Sequence, residues 1–206
     1  MTRFAPCNGI DIILASASPR RRDLLSELGI CFKVVPSSVE EVHIDGESPE
    51  DHVRRLALAK ARDVSKQYSQ EWILGADTIV VIDDEILGKP QDEAEAHSML
   101  ARLASRTHQV FTGYAVVNAS HPEVEIVRCV VSSVHIRELS SEEIEGYVQT
   151  GEPMDKAGAY AIQGIGSGIV ERVTGSYTNV VGLPLCETAR DLKALGVFDF
   201  LKPDKS

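Results

Sequence analysis

The feature that most constrains the fold is a run of four β-branched residues with a carboxylate just before it. Residues 79–82 read IVVI, and a continuous apolar run of this kind is typical of a central strand covered on both faces. Asp77 and Thr78 come directly before the run, so the pattern predicts that they lie where a buried strand begins. Because a buried carboxylate is costly unless it is paired or used, Asp77 is a candidate functional residue.

A turn and a short return strand follow this run. Residues 83–85 supply turn chemistry, and residues 86–90 (ILGKP) bring the backbone back toward the same region. This arrangement would place Lys89 within reach of whatever Asp77 faces. The alternative interpretation is a structural hairpin that carries a strand-edge aspartate and a solvent-exposed lysine.

A second feature lies near the N-terminus. Residues 11–15 predict a short strand that runs into a helix, with Ser18 as the N-cap and Pro19 at the first helical position. The first turn of this helix carries three consecutive arginines at positions 20–22, although positive charge at a helix N-terminus is unfavourable. A bound anion explains these arginines better than helix stability does, since the free backbone N–H groups also point at the loop. Three solvated arginines are the alternative.

Composition and charge restrict the partners. A chain of 206 residues with 43% hydrophobic content is large and apolar enough for a globular α/β protein with a real core. Its formal net charge of −10 disfavours general binding to nucleic acid or to an anionic membrane, so neither is expected as a partner. An anionic ligand would therefore need a local basic cluster. The sequence shows no long apolar run and no signal-peptide pattern in residues 1–10, so no membrane span is expected.

The cysteines indicate a reducing compartment. Cys7, Cys31, Cys129 and Cys186 stand far apart, without a C-x-x-C pair. The spacing favours reduced structural thiols over disulfides or a zinc site. A cytoplasmic protein is therefore expected.

Further elements alternate along the chain. A helix is predicted from a Ser48 cap to about Tyr68, and on spacing alone its Lys60 is more simply explained as exposed than as part of a cleft. Residues 109–117 and 124–136 predict two antiparallel strands. The remaining predicted elements are a strand at 31–35, helices at 92–103 and 140–148, a strand at 169–173, a turn at 175–179 and a closing helix to about residue 195.

Residues 151–168 form a glycine-rich stretch. It contains five glycines together with Asp155, Lys156, Tyr160 and Gln163. Such a segment is too polar for a core and too rich in glycine for a helix, which is typical of a loop that approaches a ligand. It does not match the dinucleotide-binding GxGxxG pattern after a strand.

Together these motifs resemble the Maf family of nucleoside triphosphate pyrophosphatases, over nearly the whole chain from Ile12 to Leu195. The motifs that carry the resemblance are LASASPRR (14–21), EE (40–41), AKA (59–61), GADT (75–78), LGKP (87–90), HQVFTG (108–113), GEPMDKAG (151–158), IQG (162–164) and VVGLP (180–184). Each motif alone is weak, whereas all of them in the family's order are specific. Two departures stand out: LAS at 103–105 replaces the common Leu-Ser-Gly, and YAIQ at 160–163 replaces the usual Tyr-Gly-Ile-Gln.

The resemblance implies an α/β fold with a mixed twisted sheet, flanking helices and two lobes around a central cleft, similar to the inosine triphosphatase fold. The alternation of elements predicts one domain over residues 1–206, with an N-terminal extension at 1–10 and a C-terminal tail at 196–206. Members of this family usually dimerise, so a homodimer is expected.

The implied reaction is hydrolysis of a nucleoside triphosphate between the α and β phosphates, which gives a monophosphate and pyrophosphate. A divalent cation, usually magnesium or manganese, is the implied cofactor. Carried over by motif, Asp77 is the proton acceptor for the attacking water, and Glu41 with Asp77 is the metal site. The residues implied to bind the phosphates are Ser16, Arg21, Lys60 and Lys89.

Within the family, the sequence is similar to the branch that prefers dTTP and UTP, in which base specificity falls on the positions of Arg20, Thr78 and Gln163. A glutamine amide offers a donor and an acceptor, and so matches O4 and N3–H of thymine or uracil, whereas cytosine reverses the polarity at position 4. Modified pyrimidine nucleotides are further implied substrates.

Two other functions compete with this interpretation. A nucleotide-binding regulator of cell division would need the same phosphate-binding residues but not Asp77. A phosphomonoesterase would release orthophosphate instead of pyrophosphate.

Overall fold

The structure is a computed structural model that describes residues 12–197. The strands are β1 Ile12–Leu14, β2 Phe32–Val34, β3 Trp72–Ile82, β4 Glu85–Leu87, β5 Thr107–Val117, β6 Glu125–Ile136 and β7 Val170–Thr174. The α-helices are α1 Pro19–Glu27, α2 Pro49–Ser65, α3 Glu93–Leu103, α4 Ser141–Gln149, α5 Tyr177–Val181 and α6 Leu185–Ala194. Three 3₁₀ helices cover Glu152–Asp155, Ala157–Ala159 and Gly164–Gly168.

Local side-chain chemistry sets where three of the helices begin. The side chains of Ser18, Ser48 and Ser140 each accept a hydrogen bond from the backbone N–H three residues on, which satisfies a free donor in the first turn. Ser140 also forms a reciprocal capping box with Glu143. These predicted helix starts are confirmed.

The strands form one mixed sheet in the order β2-β1-β3-β5-β6-β7, with β4 pairing with β3. Strand β1 is parallel to both β2 and β3, whereas β3, β5, β6 and β7 are successively antiparallel. The predicted mixed sheet with flanking helices is confirmed.

One edge of β3 is only partly covered, and this positions the cleft. Strand β5 pairs with β3 from Ile73 to Val81, so β1 and β4 must share the opposite edge. Strand β1 covers that edge up to Leu74, and β4 covers it from Val80 onward. Between them, residues 75–79 have no strand partner on that edge within residues 12–197. Asp77 lies in this gap, at the middle of β3.

Helices cover the two faces of the sheet unequally. Helix α2 packs on one face, where Ala57, Ala61 and Val64 contact Ile13 and Ile73. The opposite face carries two separate apolar clusters, one formed with α1 and α6 and the other with α3 and α4. The cleft opens between these two clusters, because its lining includes residues of both.

Glycines bring α2 unusually close to the sheet. A Cβ atom added to Gly75 on β3 would lie 2.3 Å from the carbonyl oxygen of Ala57, and one on Gly113 of β5 would lie 2.3 Å from that of Val53. Only glycine allows the helix backbone to approach at these positions. This close approach determines how far the side chains of α2 reach over the sheet.

Several predictions differ from the structure. Asp77 does not begin β3, because residues 72–74 pair with β1 and extend the strand in the N-terminal direction. Helix α2 ends at Ser65 rather than near Tyr68. The predicted turn at 175–179 is largely the short helix α5, whose N-cap Ser176 accepts a hydrogen bond from Asn179 N–H.

The cysteine prediction is partly wrong. Cys31 is disulfide-bonded, whereas Cys129 and Cys186 are free thiols. Cys7 lies outside the described residues, as do the predicted N-terminal extension and most of the predicted C-terminal tail. Every helix within residues 12–197 falls short of the length and hydrophobicity that a membrane crossing requires.

We expect Gly113→Ala to lower the free energy of unfolding by about 3 kcal/mol, because the added methyl group would collide with helix backbone that cannot yield easily. Gly146→Ala is the matched control. Its Cβ would meet open space within helix α4, so stability should rise by about 0.5–1 kcal/mol. Urea denaturation of the two variants measures both changes, and equal stabilities would contradict the close approach.

Candidate active site

A cleft of about 1080 Å³ lies at the uncovered edge of β3. Its walls come from the loop before α1, the loop before α2, the β4 hairpin and the glycine-rich stretch. All the residues predicted to form the site line this cleft: Ser16, Arg20, Arg21, Glu41, Lys60, Asp77, Thr78, Lys89 and Gln163. The structure therefore brings these residues together.

Lys60 joins two carboxylates at the floor of the cleft. Its Nζ atom donates to Asp77 Oδ1 at 2.7 Å and to Glu41 Oε1 at 2.6 Å. Lys60 and Asp77 are only 7% and 5% exposed, so the expectation from spacing that Lys60 is exposed is wrong. The glycine contacts of α2 explain the difference, because they lower the helix onto β3 until the ammonium reaches Asp77.

Glu41 is the more exposed of the two carboxylates. Burial raises its pKa, but the hydrogen bond and charge of Lys60, with the charges of Lys89 and Arg21, outweigh burial and hold the pKa below its usual value. Glu41 is therefore an anion at neutral pH. It comes from the loop between β2 and α2, whereas Asp77 belongs to the rigid sheet.

Arg21 is fixed by three neighbours on the other side of β3. Its Nε donates to the carbonyl of Gly182 at 2.8 Å, and its two terminal nitrogens donate to Ser16 Oγ at 3.2 Å and Thr78 Oγ1 at 3.0 Å. Burial lowers its pKa below the usual value, against the opposing charges of Asp77 and Glu41. An arginine still keeps its proton at neutral pH. The site therefore holds a fixed cation within its wall.

The Thr78 hydroxyl belongs to a hydrogen-bond chain. It lies 2.9 Å from Thr112 Oγ1, whose own proton goes to the carbonyl of Asn179 at 2.9 Å. Since a hydroxyl has one proton, Thr78 donates to Thr112 and accepts from Arg21. Thr78 thus orients the guanidinium of Arg21.

Arg20 crosses the cleft to the glycine-rich stretch. Its guanidinium contacts the Asp155 carboxylate at 3.0 Å, and the same carboxylate accepts from Lys156 Nζ at 2.6 Å. Burial raises the pKa of Asp155, but the hydrogen bonds from Lys156 and Arg20 outweigh burial and lower it. Asp155 therefore connects the two sides of the cleft as an anion.

Lys89 and Gln163 are exposed at the cleft wall. Lys89 follows β4, as the hairpin pattern predicts, and the turn before β4 has Asp83 and Asp84 at φ of 52° and 61°, typical of a tight hairpin turn. Gln163 lies between two of the 3₁₀ helices. Both side chains can reach a ligand in the cleft.

The two carboxylates that Lys60 joins suit a hard cation. Glu41 and Asp77 supply oxygen donors that already converge on one positive charge, and magnesium commonly binds one or two carboxylates together with water and substrate phosphates. Within the described range, no three His, Cys, Asp or Glu side chains form a metal cluster by themselves. The residues present fit a cation that shares its coordination with a bound phosphate.

Sequence patterns missed several members of the site. The Gly182 carbonyl that binds Arg21 is a backbone group and leaves no side-chain signal. Asp155 and Lys156 were visible only as polar residues among glycines.

Tyr160 lines the cleft and is buried, and its hydroxyl lies 2.7 Å from His108 Nε2. Burial lowers the pKa of His108 to about 4, so this histidine is neutral at pH 7.

Fold and site together define a mixed α/β protein with a deep cleft that holds fixed cations and a buried lysine–carboxylate centre. Residues 11–195 match the family described as Maf-like protein. The chain belongs to the Maf-like protein family.

Similar curated proteins cover nearly the whole chain. A protein of Syntrophotalea carbinolica named dTTP/UTP pyrophosphatase is 49% identical over 196 residues, which is 94% of this chain and 89% of that protein. A protein of Geotalea uraniireducens with the same name is 51% identical over 189 residues, 92% of this chain and 97% of its own length.

Solved structures show more distant similarity. A crystal structure titled nucleoside-triphosphatase or dITP/XTP pyrophosphatase, from Mycobacterium abscessus, is 20% identical and has a TM-score of 0.43 over 89% of this chain and 96% of that one.

We expect Lys60→Met to destabilise the fold by about 3–5 kcal/mol, because it leaves the buried Asp77 carboxylate without its cation. Lys66→Met is the control, since that side chain is 75% exposed and pairs with Asp63 on the surface. The double variant Lys60→Met/Asp77→Leu should recover part of the loss, because the two changes are coupled. Denaturant unfolding measures all three, and equal effects at Lys60 and Lys66 would contradict a buried ion pair.

Proposed function

We propose that this protein is a nucleoside triphosphate pyrophosphatase that hydrolyses dTTP and UTP to the monophosphate and pyrophosphate. The observation that carries the proposal is the pairing of a buried, lysine-bound carboxylate with fixed cations in one cleft. Relatives of about 50% identity that are named dTTP/UTP pyrophosphatase support it. Modified pyrimidine nucleotides are included as substrates.

Phosphate binding falls to side chains that surround the gap in β3. Arg21 is held by Gly182, Ser16 and Thr78, so its guanidinium needs little reorganisation to meet a phosphate oxygen. Lys60 at the floor of the cleft and Lys89 at its wall add positive charge. Preorganised donors of this kind are the main source of stabilisation for charge that develops on a transferring phosphoryl group.

Asp77 is the proposed proton acceptor for the attacking water. Its Oδ1 atom accepts a hydrogen bond from Lys60 Nζ at 2.7 Å, which fixes the orientation of the carboxylate. A carboxylate on a central strand moves little, so a water held by Asp77 has a defined direction of attack on the α phosphorus. The Lys60 ammonium lies beside Asp77 and would stabilise negative charge that develops near the attacking water.

The proposal includes a magnesium or manganese ion, which Glu41 and Asp77 would hold. When bound, the cation would neutralise phosphate charge and lower the pKa of a bound water. A homodimer is the proposed form of the enzyme, on the strength of the family resemblance. The cytoplasm is its proposed location, which the free thiols of Cys129 and Cys186 support and the disulfide of Cys31 does not.

Base recognition is assigned to Arg20, Thr78 and Gln163. Gln163 is exposed at the cleft, where its amide can donate to O4 and accept from N3–H of thymine or uracil. The Arg20 guanidinium binds Asp155, which belongs to the same glycine-rich stretch as Gln163. The Thr78 hydroxyl contributes indirectly, because it accepts a hydrogen bond from Arg21 and so orients that guanidinium.

We expect Asp77→Asn to lose at least about 10²-fold in turnover, because general base catalysis contributes about 10²–10⁴-fold. Nucleotide binding should persist, since the amide keeps the shape of the site. Pyrophosphate release with magnesium or manganese and nucleotide titration measure the two properties. Full turnover in the variant would remove Asp77 from this role.

A parent that binds triphosphates without turnover would favour a nucleotide-binding regulator, and orthophosphate as the product would indicate a phosphomonoesterase.

We expect kcat/KM for dTTP and UTP to exceed that for CTP, ATP and GTP by about 10²-fold, because a site built to pair with a polar edge leaves groups unmatched with the wrong base. Gln163→Ala should erode this preference more than it slows the poor substrates. A panel of triphosphates with product analysis tests both statements. A parent that prefers CTP would overturn the base assignment and leave the pyrophosphatase proposal standing.

A further inference from the structure

One carboxylate outside the phosphate-binding region holds the turn that carries Gln163. Glu152 lies in the first 3₁₀ helix of the glycine-rich stretch, and its side chain contacts the backbone of residues 165 and 166. Its Oε2 accepts from Ile165 N–H at 3.0 Å, and its Oε1 accepts from Gly166 N–H at 2.9 Å. The carboxylate thus holds the backbone on the C-terminal side of Gln163.

Tyr147 completes the contact on the N-terminal side. Its buried hydroxyl donates to Glu152 Oε1 at 2.8 Å and accepts from the N–H of Ala161 at 3.1 Å. The pair of Glu152 and Tyr147 therefore fixes backbone N–H groups on both sides of Gln163. The Gln163 side chain itself remains exposed.

The glycines of this turn fit closely around the two side chains. Gly164 has a φ of +67°, and a Cβ atom there would lie 2.4 Å from Glu152 Oε2. A Cβ atom on Gly166 would lie 2.5 Å from the Tyr147 hydroxyl. The turn is therefore shaped by its approach to the carboxylate, which accounts for two of the glycines that the sequence places here.

We propose that Glu152, with Tyr147, is a positioning residue for base specificity, which fixes the placement of Gln163 against the base. The inference rests on the proposed function, because it assigns a purpose to a turn that carries the proposed base reader. Neither side chain lines the cleft. Their effect must therefore pass through the turn.

The test compares Glu152→Gln and Tyr147→Phe with the control Glu145→Gln, at an exposed residue of α4 whose carboxylate accepts a hydrogen bond from Gln149 on the same helix. Glu152→Gln replaces one acceptor oxygen with an amide NH₂, which cannot accept a hydrogen bond from a backbone N–H. Tyr147→Phe removes only the hydroxyl. We expect each to lower the ratio of kcat/KM for dTTP over CTP about tenfold, since each removes a hydrogen bond that holds the turn. Turnover of CTP and the control variant should stay within about threefold of the parent.

A double-mutant cycle separates positioning from general stability. In the Gln163→Ala background, Glu152→Gln should change the dTTP-over-CTP ratio no further, because the two substitutions act on the same contact. An unchanged ratio in both Glu152→Gln and Tyr147→Phe would overturn the inference, whatever their stability.

Amide hydrogen exchange distinguishes this failure from failure of the proposed function. The N–H groups of residues 161, 165 and 166 should exchange faster in Glu152→Gln than in the parent, whatever the activity. If exchange accelerates but the parent prefers no pyrimidine triphosphate, the proposed function is wrong and the inference falls with it. If the parent prefers dTTP and exchange is unchanged, only the positioning role is wrong.

Discussion

The buried ammonium of Lys60 between Asp77 and Glu41 is the contact on which the rest of the site depends. A carboxylate on a central strand cannot remain ionised in an apolar core without a cation and hydrogen bonds. Lys60 supplies both from α2, and it can do so because Gly75 and Gly113 let that helix approach the sheet within 2.3 Å of where their Cβ atoms would be. Two glycines that do not line the cleft thus determine the position of the central charge.

The gap in the edge of β3 gives this charge access to the cleft. Between β1 and β4 the strand edge is free of a strand partner in the part of the chain that the structure describes, and successive side chains point to opposite faces. Asp77 therefore faces Lys60 on α2, whereas Thr78 faces Arg21 on α1. Because both faces meet at the open edge, two neighbouring residues of one strand serve a single cleft.

Charge pairing resolves an apparent conflict between an acidic protein and an anionic ligand. The net charge of −10 would repel a triphosphate at long range, whereas the cleft lining brings five lysine and arginine side chains together beside its six carboxylates. Lys60, Arg20 and Lys156 each pair with carboxylates. Such pairing holds the side chains in defined positions, which reduces the ordering cost when a ligand enters.

The sequence by itself determined the local features of this protein. Caps at Ser18, Ser48 and Ser140 predicted where helices begin, and aspartates at 83 and 84 predicted the hairpin, because each signal is a contact between residues three or four positions apart. The ordered motifs also predicted the family. Tertiary structure alone decided that Lys60 is buried, that Arg20 meets Asp155 over 135 residues and that Arg21 binds the Gly182 carbonyl over 161 residues. These contacts depend on the order of strands in the sheet and on the distance between α2 and the sheet. A local pattern contains neither quantity.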